Sequence, residues 1–286
     1  MHVRIITVVG AGTMGRGIAQ VAAAAEYGVR LRDVETRTLE RAMESVENSL
    51  LRMVKGQKIT EGQMHSTLER ILPTTDLATA LEDADLVIEA VPEDLDLKKA
   101  LWAEIEDNSP LRTIFASNTS QLSITSIASA TKREERFIGM HWFSPPVLMR
   151  LVEIVRGMET SDETVETVRA VSERMGKETV VCKDSQGFIT TRAFLALLNE
   201  CFRIYDEGIA SVEDIDKAIK LGLNHPMGPF QLADYTGVEV ALEANKGLAE
   251  AFGDRFRSPQ CLRQLVSSGN LGVKTGRGFY RYGASS

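Results

Sequence analysis

The stretch VRIITVVGAGTMGRGIAQVAAAAEYGVRLRD, residues 3–33, decides the fold of the first half of the chain. An apolar run from Val3 to Val9 is followed at once by the turn GAGTMG at residues 10–15, then by an Ala-rich segment of helical character. A second strand, Val29-Arg30-Leu31-Arg32, follows and ends at Asp33. Strand, glycine-rich turn, helix, strand and acid in this order indicate a dinucleotide-binding unit. The alternative is a tight turn of an α/β domain that binds no ligand.

Each residue type in this unit has a physical role. Gly10 permits the tight turn, Gly12 lets the backbone approach a pyrophosphate, and Gly15 lets the helix pack closely on the strand. The helix N-terminus offers unpaired N–H groups and the positive end of its dipole to the phosphates. The predicted cofactor contacts from the turn are Gly10, Ala11, Gly12, Thr13, Met14 and Gly15.

Asp33 predicts the type of dinucleotide. Its carboxylate would accept hydrogen bonds from the adenosine ribose hydroxyls and would repel a 2′-phosphate, which favours NAD over NADP. Arg30, Arg32 and Arg37 weaken this preference slightly. Strand alternation turns Arg30 and Arg32 away from their odd-numbered neighbours, so we expect Asp33 to dominate.

Size and composition are those of an ordinary globular protein. The chain has 286 residues, 43% of them hydrophobic and 26% charged, which suits two domains. A net charge of −7 argues against a nucleic-acid partner, although a local basic patch for a phosphorylated substrate stays open. No apolar run approaches the roughly 20 residues of a membrane span. We therefore expect no membrane association.

Cysteine usage and the N-terminus bear on the compartment. Cys182, Cys201 and Cys261 are widely spaced and odd in number, which favours free thiols in a reducing compartment, and no zinc-like spacing is present, so no metal is expected. The N-terminus enters a strand without a signal-like segment. These features predict a cytoplasmic protein.

The chain changes character near Asp184. Before it, apolar runs alternate with helical segments, which predicts a Rossmann-type, doubly wound, mainly parallel sheet over residues 1–183. After it, only helical periodicity is found, with helices expected over residues 190–206, 212–221, 231–252 and 259–267. Residues 184–286 are therefore predicted to form an all-α domain that contributes to the substrate cleft and to dimerisation.

Ligands of open parallel sheets bind beyond the carboxyl ends of the strands. Candidate groups there are Glu89 and Glu93 after one strand, Asn118-Thr119-Ser120 after the next, and His141 at the end of a third. Of the four histidines, only His141 falls at a predicted strand end. This position favours a catalytic over a structural role.

Glu153 is unusual because it lies in the middle of an apolar strand. A carboxylate on a buried sheet face needs a hydrogen-bonding partner, since desolvating an unpaired charge is costly. A nearby histidine would supply one. The alternatives are that Glu153 faces solvent or pairs with Arg150 or Arg156.

Several motifs together resemble the L-3-hydroxyacyl-CoA dehydrogenase family, close to its short bacterial 3-hydroxybutyryl-CoA type. The similarity spans nearly the whole chain. Its motifs are GAGTMGRGIA at 10–19, VIEAVPE at 87–93, ASNTS at 116–120, GMHWF at 139–143, LVE at 151–153, GFI at 187–189, HPMGP at 225–229 and KTGRGFY at 274–280.

The resemblance implies the chemistry. It implies that His141 is the general base that takes the proton of the substrate's 3-hydroxyl as hydride passes to NAD, and that His141 acts as the acid in reverse. Glu153 orients the imidazole, and Ser120 contacts the reacting oxygen. The implied NAD contacts beyond the glycine turn are Asp33, Glu93, Lys98, Ser120, Ser144 and Lys274. The resemblance also implies that Ser49, with Lys55 nearby and Ser120 at the acyl end, meets the CoA substrate.

The chain itself supports a CoA site near Ser49. Ser49 and Arg52 share a helix face, and Lys55 and Lys58 extend the basic stretch toward which CoA phosphates would be drawn. An ordinary solvated helix surface is the alternative.

Two positions depart from the family pattern, since Thr191 and Ser144 stand where asparagine is usual. We therefore do not count Thr191 among the catalytic residues.

Three functions are weighed against one another. The leading one is NAD-dependent, reversible oxidation of (S)-3-hydroxyacyl-CoA, such as 3-hydroxybutyryl-CoA, in fatty-acid metabolism and β-oxidation. A dehydrogenase of a free hydroxy acid or sugar acid on the same fold is the alternative, together with a non-catalytic dinucleotide-binding protein. We also expect a homodimer, because Ala193, Phe194, Leu195, Leu197 and Leu198 make the first helix of the second domain widely apolar.

Overall fold

The computed structural model describes residues 2–283, and the chain divides after Phe188 into two compact units. The predicted domain boundary at Asp184 lies just before this division. Each unit has its own apolar core. Within residues 2–283, none of the helices has both the length and the apolar character that crossing a membrane requires.

An eight-stranded sheet forms the centre of the first unit, in the order β3-β2-β1-β4-β5-β6-β7-β8. The strands are β1 Ile5–Val9, β2 Gly28–Arg32, β3 Ile71–Thr74, β4 Leu86–Glu89, β5 Ile114–Ser117, β6 Phe137–Trp142, β7 Leu151–Arg156 and β8 Glu178–Lys183. Every neighbouring pair is parallel except β6 with β7. The prediction of a mainly parallel Rossmann-type sheet is confirmed.

Helices cover both faces of this sheet. They are α1 Thr13–Ala24, α2 Thr36–Lys55, α3 Glu61–Glu69, α4 Leu77–Leu81, α5 Leu95–Asn108, α6 Ile124–Ala128 and α7 Asp162–Arg174, with a short 3₁₀ turn at Glu134–Arg136. The core on one face draws on α1, α2, α3 and α7, and the core on the other face on α4, α5 and α6. Strands covered on both sides are continuous apolar runs, as in the fully buried β4.

Strand β3 and helices α4 and α6 have no clear pattern in the sequence. Strand β3 lies at the edge of the sheet and contains Pro73, which lacks the N–H of a regular ladder. Helices α4 and α6 have five residues each, too few to show a helical period. Asp76 and Ser123 cap them by accepting hydrogen bonds from Thr79 N and Ser126 N.

The second unit is helical, and the predicted all-α domain is confirmed. Its helices are α8 Thr190–Asp206, α9 Val212–Gly222, α10 Pro229–Thr236, α11 Val238–Phe252 and α12 Gln260–Ser267, with 3₁₀ turns at Asp254–Phe256 and Val273–Thr275. The single helix predicted over residues 231–252 is wrong. Gly237, with φ of 99°, separates α10 from α11 because this left-handed conformation cannot continue a right-handed helix.

Two buried aspartates organise the second unit and account for two of its motifs. Asp216 accepts hydrogen bonds from Phe230 N at 2.7 Å and from the Tyr280 hydroxyl at 2.8 Å, so it caps α10. A Cβ on Gly228 would lie 2.2 Å from Asp216 Cγ, which explains the glycine of the HPMGP motif.

Asp234 holds the KTGRGFY segment in the same manner. It accepts hydrogen bonds from Phe279 N and Tyr280 N, each at 2.9 Å. A Cβ on Gly278 would lie 2.0 Å from Asp234 Oδ1. Burial and the neighbouring carboxylates raise the pKa values of the Tyr280 and Tyr282 hydroxyls, which therefore serve as hydrogen-bond donors to these aspartates.

Candidate active site

The glycine-rich turn between β1 and α1 is built as its spacing predicts. Gly10 has φ of 100°, and a Cβ there would lie 2.7 Å from the carbonyl oxygen of Ala90. A Cβ on Gly15 would lie 1.7 Å from the carbonyl oxygen of Gly10. Any larger residue at either position would clash with the protein's own backbone, so both positions require glycine.

Gly12 is different, because a Cβ there would meet nothing within 4 Å. The space beside it lies at the start of α1, where no side chain caps the helix and no acid occupies the first turn. The N–H groups at the start of α1 thus lie beside an open space that suits a pyrophosphate. The residues present fit a dinucleotide at the turn formed by Gly10 to Gly15.

Asp33 follows β2 directly and is fixed beside the turn. Its Oδ2 accepts a hydrogen bond from Ala11 N at 2.8 Å, and its Oδ1 accepts one from Glu35 N at 3.3 Å. The half-buried carboxylate is therefore oriented before any ligand binds. Arg30 forms an ion pair with Asp83 at 3.2 Å, which fits the expectation that it leaves the charge of Asp33 uncompensated.

His141 and Glu153 lie on adjacent antiparallel strands and are paired in the β6–β7 register. The Nδ1 atom of His141 lies 2.7 Å from Glu153 Oε2. The Glu153 side chain is fully buried and that of His141 is 8% exposed. An ionised carboxylate accepts the hydrogen bond, so Nδ1 carries the hydrogen and Nε2 is the nitrogen that can exchange a proton.

The alternatives considered for Glu153 are not realised. Arg150 pairs with Glu178, and Arg156 pairs with Asp162. Two aromatic rings pack around the imidazole of His141. The ring centroid of Phe143 lies 4.5 Å from it, and that of Phe188 lies 5.8 Å from it. The histidine is thus held by one ionic hydrogen bond and by tilted aromatic contacts.

Ser120 lies in the segment after β5 and contacts Glu93. Ser120 N donates to Glu93 Oε1 at 2.9 Å, and its Oγ lies 3.3 Å from the same oxygen. Thr119 Oγ1 donates to that oxygen at 2.6 Å. Asn118 Oδ1 accepts a hydrogen bond from Trp142 N at 2.9 Å, which ties this segment to the residue after His141.

Lys98 lies beneath this segment, inside the domain. Its side chain is 1% exposed, and its Nζ is 2.5 Å from Glu89 Oε1 and 3.5 Å from Glu93 Oε2. Glu89, which is fully buried, also accepts a hydrogen bond from Ser117 Oγ at 2.7 Å. The sequence placed Glu89 at a strand end but carried no signal of this buried ion pair, since lysine is rarely buried.

The other predicted site residues of the first unit take no part in these hydrogen bonds. Ser144 follows β6 and is exposed. Ser49 and Lys55 lie on α2, where Ser49 is half-buried and Lys55 is exposed. No hydrogen bond within residues 2–283 joins Ser49, Lys55 or Ser144 to the groups above. Lys274 belongs to the second unit, where it forms an ion pair with Glu239. Over the described part of the chain, no group of three or more His, Cys, Asp or Glu residues could hold a metal ion.

Comparison with known proteins gives consistent matches over both units. Residues 5–185 match the family model of the 3-hydroxyacyl-CoA dehydrogenase NAD-binding domain, and residues 187–282 match that of the 3-hydroxyacyl-CoA dehydrogenase C-terminal domain. A Bacillus subtilis protein named as a probable 3-hydroxybutyryl-CoA dehydrogenase is 43% identical, over 99% of this chain and 98% of its own.

Two further similarities extend this result. The mitochondrial hydroxyacyl-coenzyme A dehydrogenase of Sus scrofa is 42% identical, over 98% of this chain and 91% of its own. The crystal structure of (S)-3-hydroxybutyryl-CoA dehydrogenase from Ralstonia eutropha superimposes with a TM-score of 0.96 at 42% identity. That alignment covers 99% of this chain and all of the crystallised one.

Proposed function

Because this chain belongs to the 3-hydroxyacyl-CoA dehydrogenase family, we propose that His141 and Glu153 form the acid–base pair of its reaction. The protein is an NAD-dependent oxidoreductase that converts a 3-hydroxyacyl-CoA into the 3-ketoacyl-CoA. A dehydrogenase activity on a free hydroxy acid or sugar acid is not favoured, and neither is a non-catalytic role. The observation that carries the residue assignment is the buried 2.7 Å contact between His141 Nδ1 and Glu153 Oε2.

The proton transfer follows from this contact. When bound, NAD supplies the acceptor for the hydride that leaves C3 of the substrate. His141 Nε2 takes the proton of the 3-hydroxyl, and the imidazolium that forms is stabilised by the Glu153 carboxylate. In the reductive direction the same nitrogen returns the proton to the 3-keto oxygen.

Ser120 is proposed to hydrogen-bond the reacting oxygen of the substrate. Its position is supported by the contacts to Glu93, and the Asn118–Trp142 hydrogen bond links its segment to the end of β6. With its backbone N–H held by Glu93, Ser120 can turn its hydroxyl hydrogen away from Glu93 Oε1, 3.3 Å from its Oγ, and donate to an oxygen on which negative charge grows during reduction.

We assign the cofactor contacts to the turn from Gly10 to Gly15 and to Asp33. The open space at Gly12 and the uncapped helix α1 support the pyrophosphate contact. The oriented carboxylate of Asp33 supports NAD over NADP. Glu93, Lys98, Ser120, Ser144 and Lys274 are further proposed contacts, each taken from the family.

The CoA moiety is proposed to lie along the basic side of α2. Ser49 is half-buried there, and the side chains of Arg52, Lys55 and Lys58 are exposed within and just after the last turn of the helix. Three cations close in sequence on a chain of net charge −7 would attract the phosphates of CoA.

A homodimer formed through the helical unit is also proposed. Leu195 and Leu198 of α8 are buried within that unit, so they need no partner. Other apolar side chains of the unit are exposed, among them Leu221 at 76%, Tyr235 at 68% and Leu223 at 58%. Covering such side chains is a common reason for subunits to associate.

A cytoplasmic location is proposed from the cysteines. Cys182, Cys201 and Cys261 are unpaired, as expected in a reducing compartment. Burial raises the pKa values of Cys182 and Cys201 to about 11 each, and that of Cys261 to about 12, so all three stay protonated and unreactive at neutral pH. Cell fractionation with an activity assay tests this proposal.

The proposed function is tested by following NADH absorbance with acetoacetyl-CoA, and in parallel with free acetoacetate. We expect turnover of the thioester and little turnover of the free acid. Loss of the thioester activity in His141→Gln assigns the acid–base role to this residue. Equal rates with both substrates would instead favour a dehydrogenase that acts on a free hydroxy acid.

A further inference from the structure

Phe188 has a backbone conformation that is unusual for a bulky residue. Its φ is 49°, and that of Gly187 before it is 73°, so two consecutive residues of the GFI motif lie in the left-handed region. Glycine adopts this region freely, whereas a phenylalanine there is strained. Such strain persists where the surrounding structure imposes it, and it is concentrated at functional sites. We propose that Phe188 is a positioning residue, which holds the imidazole of His141 in the orientation that proton transfer requires.

Hydrogen bonds fix the segment that leads to Phe188. Asp184 Oδ2 accepts from Ser123 Oγ at 2.7 Å and from Thr125 N at 2.9 Å, which ties the chain after β8 to the start of α6. Phe188 N donates to the carbonyl oxygen of Ser185 at 2.9 Å and closes a turn. The turn therefore starts from a fixed point and directs the Phe188 ring back into the first unit.

The ring of Phe188 ends beside the imidazole of His141. It is 5% exposed and belongs to the same apolar core as Ile124 and Phe137. Its centroid lies 5.8 Å from that of the imidazole, with an angle of 57° between the two planes. Burial of a large apolar ring is favourable and offsets the backbone strain. The core of the first unit thus extends to the proposed acid–base residue.

The hydrogen bond to Glu153 does not by itself determine the direction of Nε2. It fixes Nδ1 of His141, but the imidazole can still tilt about that contact. Phe143 also packs against the imidazole, yet it is half-buried and follows His141 by two residues, so it moves with the end of β6. Phe188 comes from a separate segment, and its buried ring restrains the imidazole independently of β6.

The inference rests on the proposed acid–base role of His141. Without the Phe188 ring, Nε2 would turn away from the 3-hydroxyl of the substrate, and proton transfer would slow. Cofactor binding should be unaffected, because the turn from Gly10 to Gly15 and Asp33 belong to other segments.

Two substitutions separate the ring from the backbone. Phe188→Leu removes the flat ring and keeps a buried apolar side chain, whereas Phe188→Gly removes the side chain and also relieves the strain. We expect each to lower kcat with acetoacetyl-CoA roughly 10- to 100-fold, as for a misplaced reacting group, with the NADH dissociation constant unchanged. Full kcat in Phe188→Gly would show that only the backbone path matters and would overturn the proposal. Weaker NADH binding with unchanged kcat would overturn it too.

Phe137→Leu is the matched control. Phe137 is fully buried in the same core but begins β6, whereas His141 lies near the other end of that strand. Its replacement should lower the melting temperature, as the Phe188 variants do, and leave kcat unchanged. An equal fall of kcat in Phe137→Leu would assign the effect to core stability and contradict the positioning role.

Nuclear magnetic resonance provides a readout that does not depend on turnover. The proton between His141 Nδ1 and Glu153 Oε2 is buried, so it should exchange slowly with water and give a downfield signal in the wild type and in Phe137→Leu. In Phe188→Gly the signal should broaden or disappear, because the imidazole can tilt and water can enter. A signal in Phe188→Gly as sharp as that of the wild type would show that the imidazole does not need Phe188.

His141→Gln separates this inference from the proposed function. If this variant keeps its kcat, the acid–base role of His141 is wrong and the positioning role falls with it. If it loses turnover while both Phe188 variants keep theirs, only the positioning role is wrong. Adding Phe188→Leu to His141→Gln should bring no further loss, because Phe188 acts only through His141. A clear further loss would contradict the proposal.

Discussion

His141 and Glu153 face each other across β6 and β7, with Nδ1 and Oε2 2.7 Å apart in a buried environment. Both residues lie on regular strands, so backbone pairing fixes the separation of their Cα atoms. Phe143 and Phe188 further restrict the imidazole ring. A site built on paired strands in this way is held more rigidly than one built on loops.

Replacing His141 with Gln should abolish most turnover and leave cofactor binding intact. Loss of a general acid–base group lowers kcat by about 10²- to 10⁴-fold. The turn from Gly10 to Gly15 does not depend on His141, so the dissociation constant of NADH, measured by fluorescence, should stay the same. A fall in kcat of less than about tenfold would show that His141 is not the general acid–base of the reaction.

Glu153→Gln should slow turnover less than His141→Gln does. The amide oxygen can still accept a hydrogen bond from Nδ1, but the charge that stabilises the imidazolium is gone. Stopped-flow measurement of kcat gives the size of the loss. The combined variant should be no slower than His141→Gln alone, because Glu153 acts only through His141. A clearly slower double variant would show an independent role for Glu153.

Asp33→Asn should reduce the preference for NADH over NADPH. The amide oxygen can keep the hydrogen bond from Ala11 N, so the turn stays in place, but the repulsion of a 2′-phosphate is lost. The ratio of kcat/KM values for the two cofactors measures the effect. Glu35→Gln, a nearby exposed carboxylate, is the control and should leave the ratio unchanged. An unchanged ratio in Asp33→Asn would show that other groups determine the preference for NADH over NADPH.

The dinucleotide-binding unit could be predicted from the sequence because its glycines are needed for reasons of local backbone geometry. Gly10 and Gly15 are constrained by backbone atoms close to them, and the strands are short apolar runs between clear turns. The split at Gly237 was missed because an isolated glycine inside an apolar helical pattern is often tolerated.

The site could be predicted only in part. Strand ends pointed to His141 and Ser120, but the partner of Glu153 depends on the register of β6 with β7, which composition does not determine. The burial of Lys98 depends on a carboxylate nine residues earlier on another element. Such pairs become visible only when the strands and helices are assembled.

Asp85 should make the first unit sensitive to acid. Burial raises the pKa of its carboxyl, but hydrogen bonds from Arg4 N and Ile5 N and the Arg112 guanidinium outweigh burial and hold that pKa below its usual range. A lowered pKa stabilises the fold above the pKa of the unfolded chain. This contribution is lost as the pH falls through the lower, folded-state pKa.

The matching variant is Asp85→Asn. At pH 7 we expect its free energy of unfolding to be about 1–3 kcal/mol below that of the wild type, as for lost hydrogen bonds to a buried charged group. The difference should shrink as the pH falls below the normal range of carboxyl groups. Urea titrations at several pH values measure it, with the exposed Asp107→Asn as control. A difference independent of pH would assign the effect to packing.

The proposed dimer predicts that exposed apolar residues of the helical unit lie in the subunit interface. Leu221 and Leu223, at the end of α9, are 76% and 58% exposed. The double variant Leu221→Glu/Leu223→Glu places two charges on this surface, and burying them between subunits would be costly. We expect sedimentation at micromolar concentration to give twice the 31.5 kDa chain mass for the wild type and a single chain mass for the variant.

Leu111→Glu is the matched control, because Leu111 is 86% exposed but belongs to the first unit. It should remain dimeric if the helical unit forms the interface. A wild type that sediments as one chain would rule out the dimer, since the exposed leucines would then face solvent in the active protein. A monomeric Leu111→Glu beside a dimeric Leu221→Glu/Leu223→Glu would place the interface on the sheet-containing unit, and the apolar surface near α9 would need another explanation.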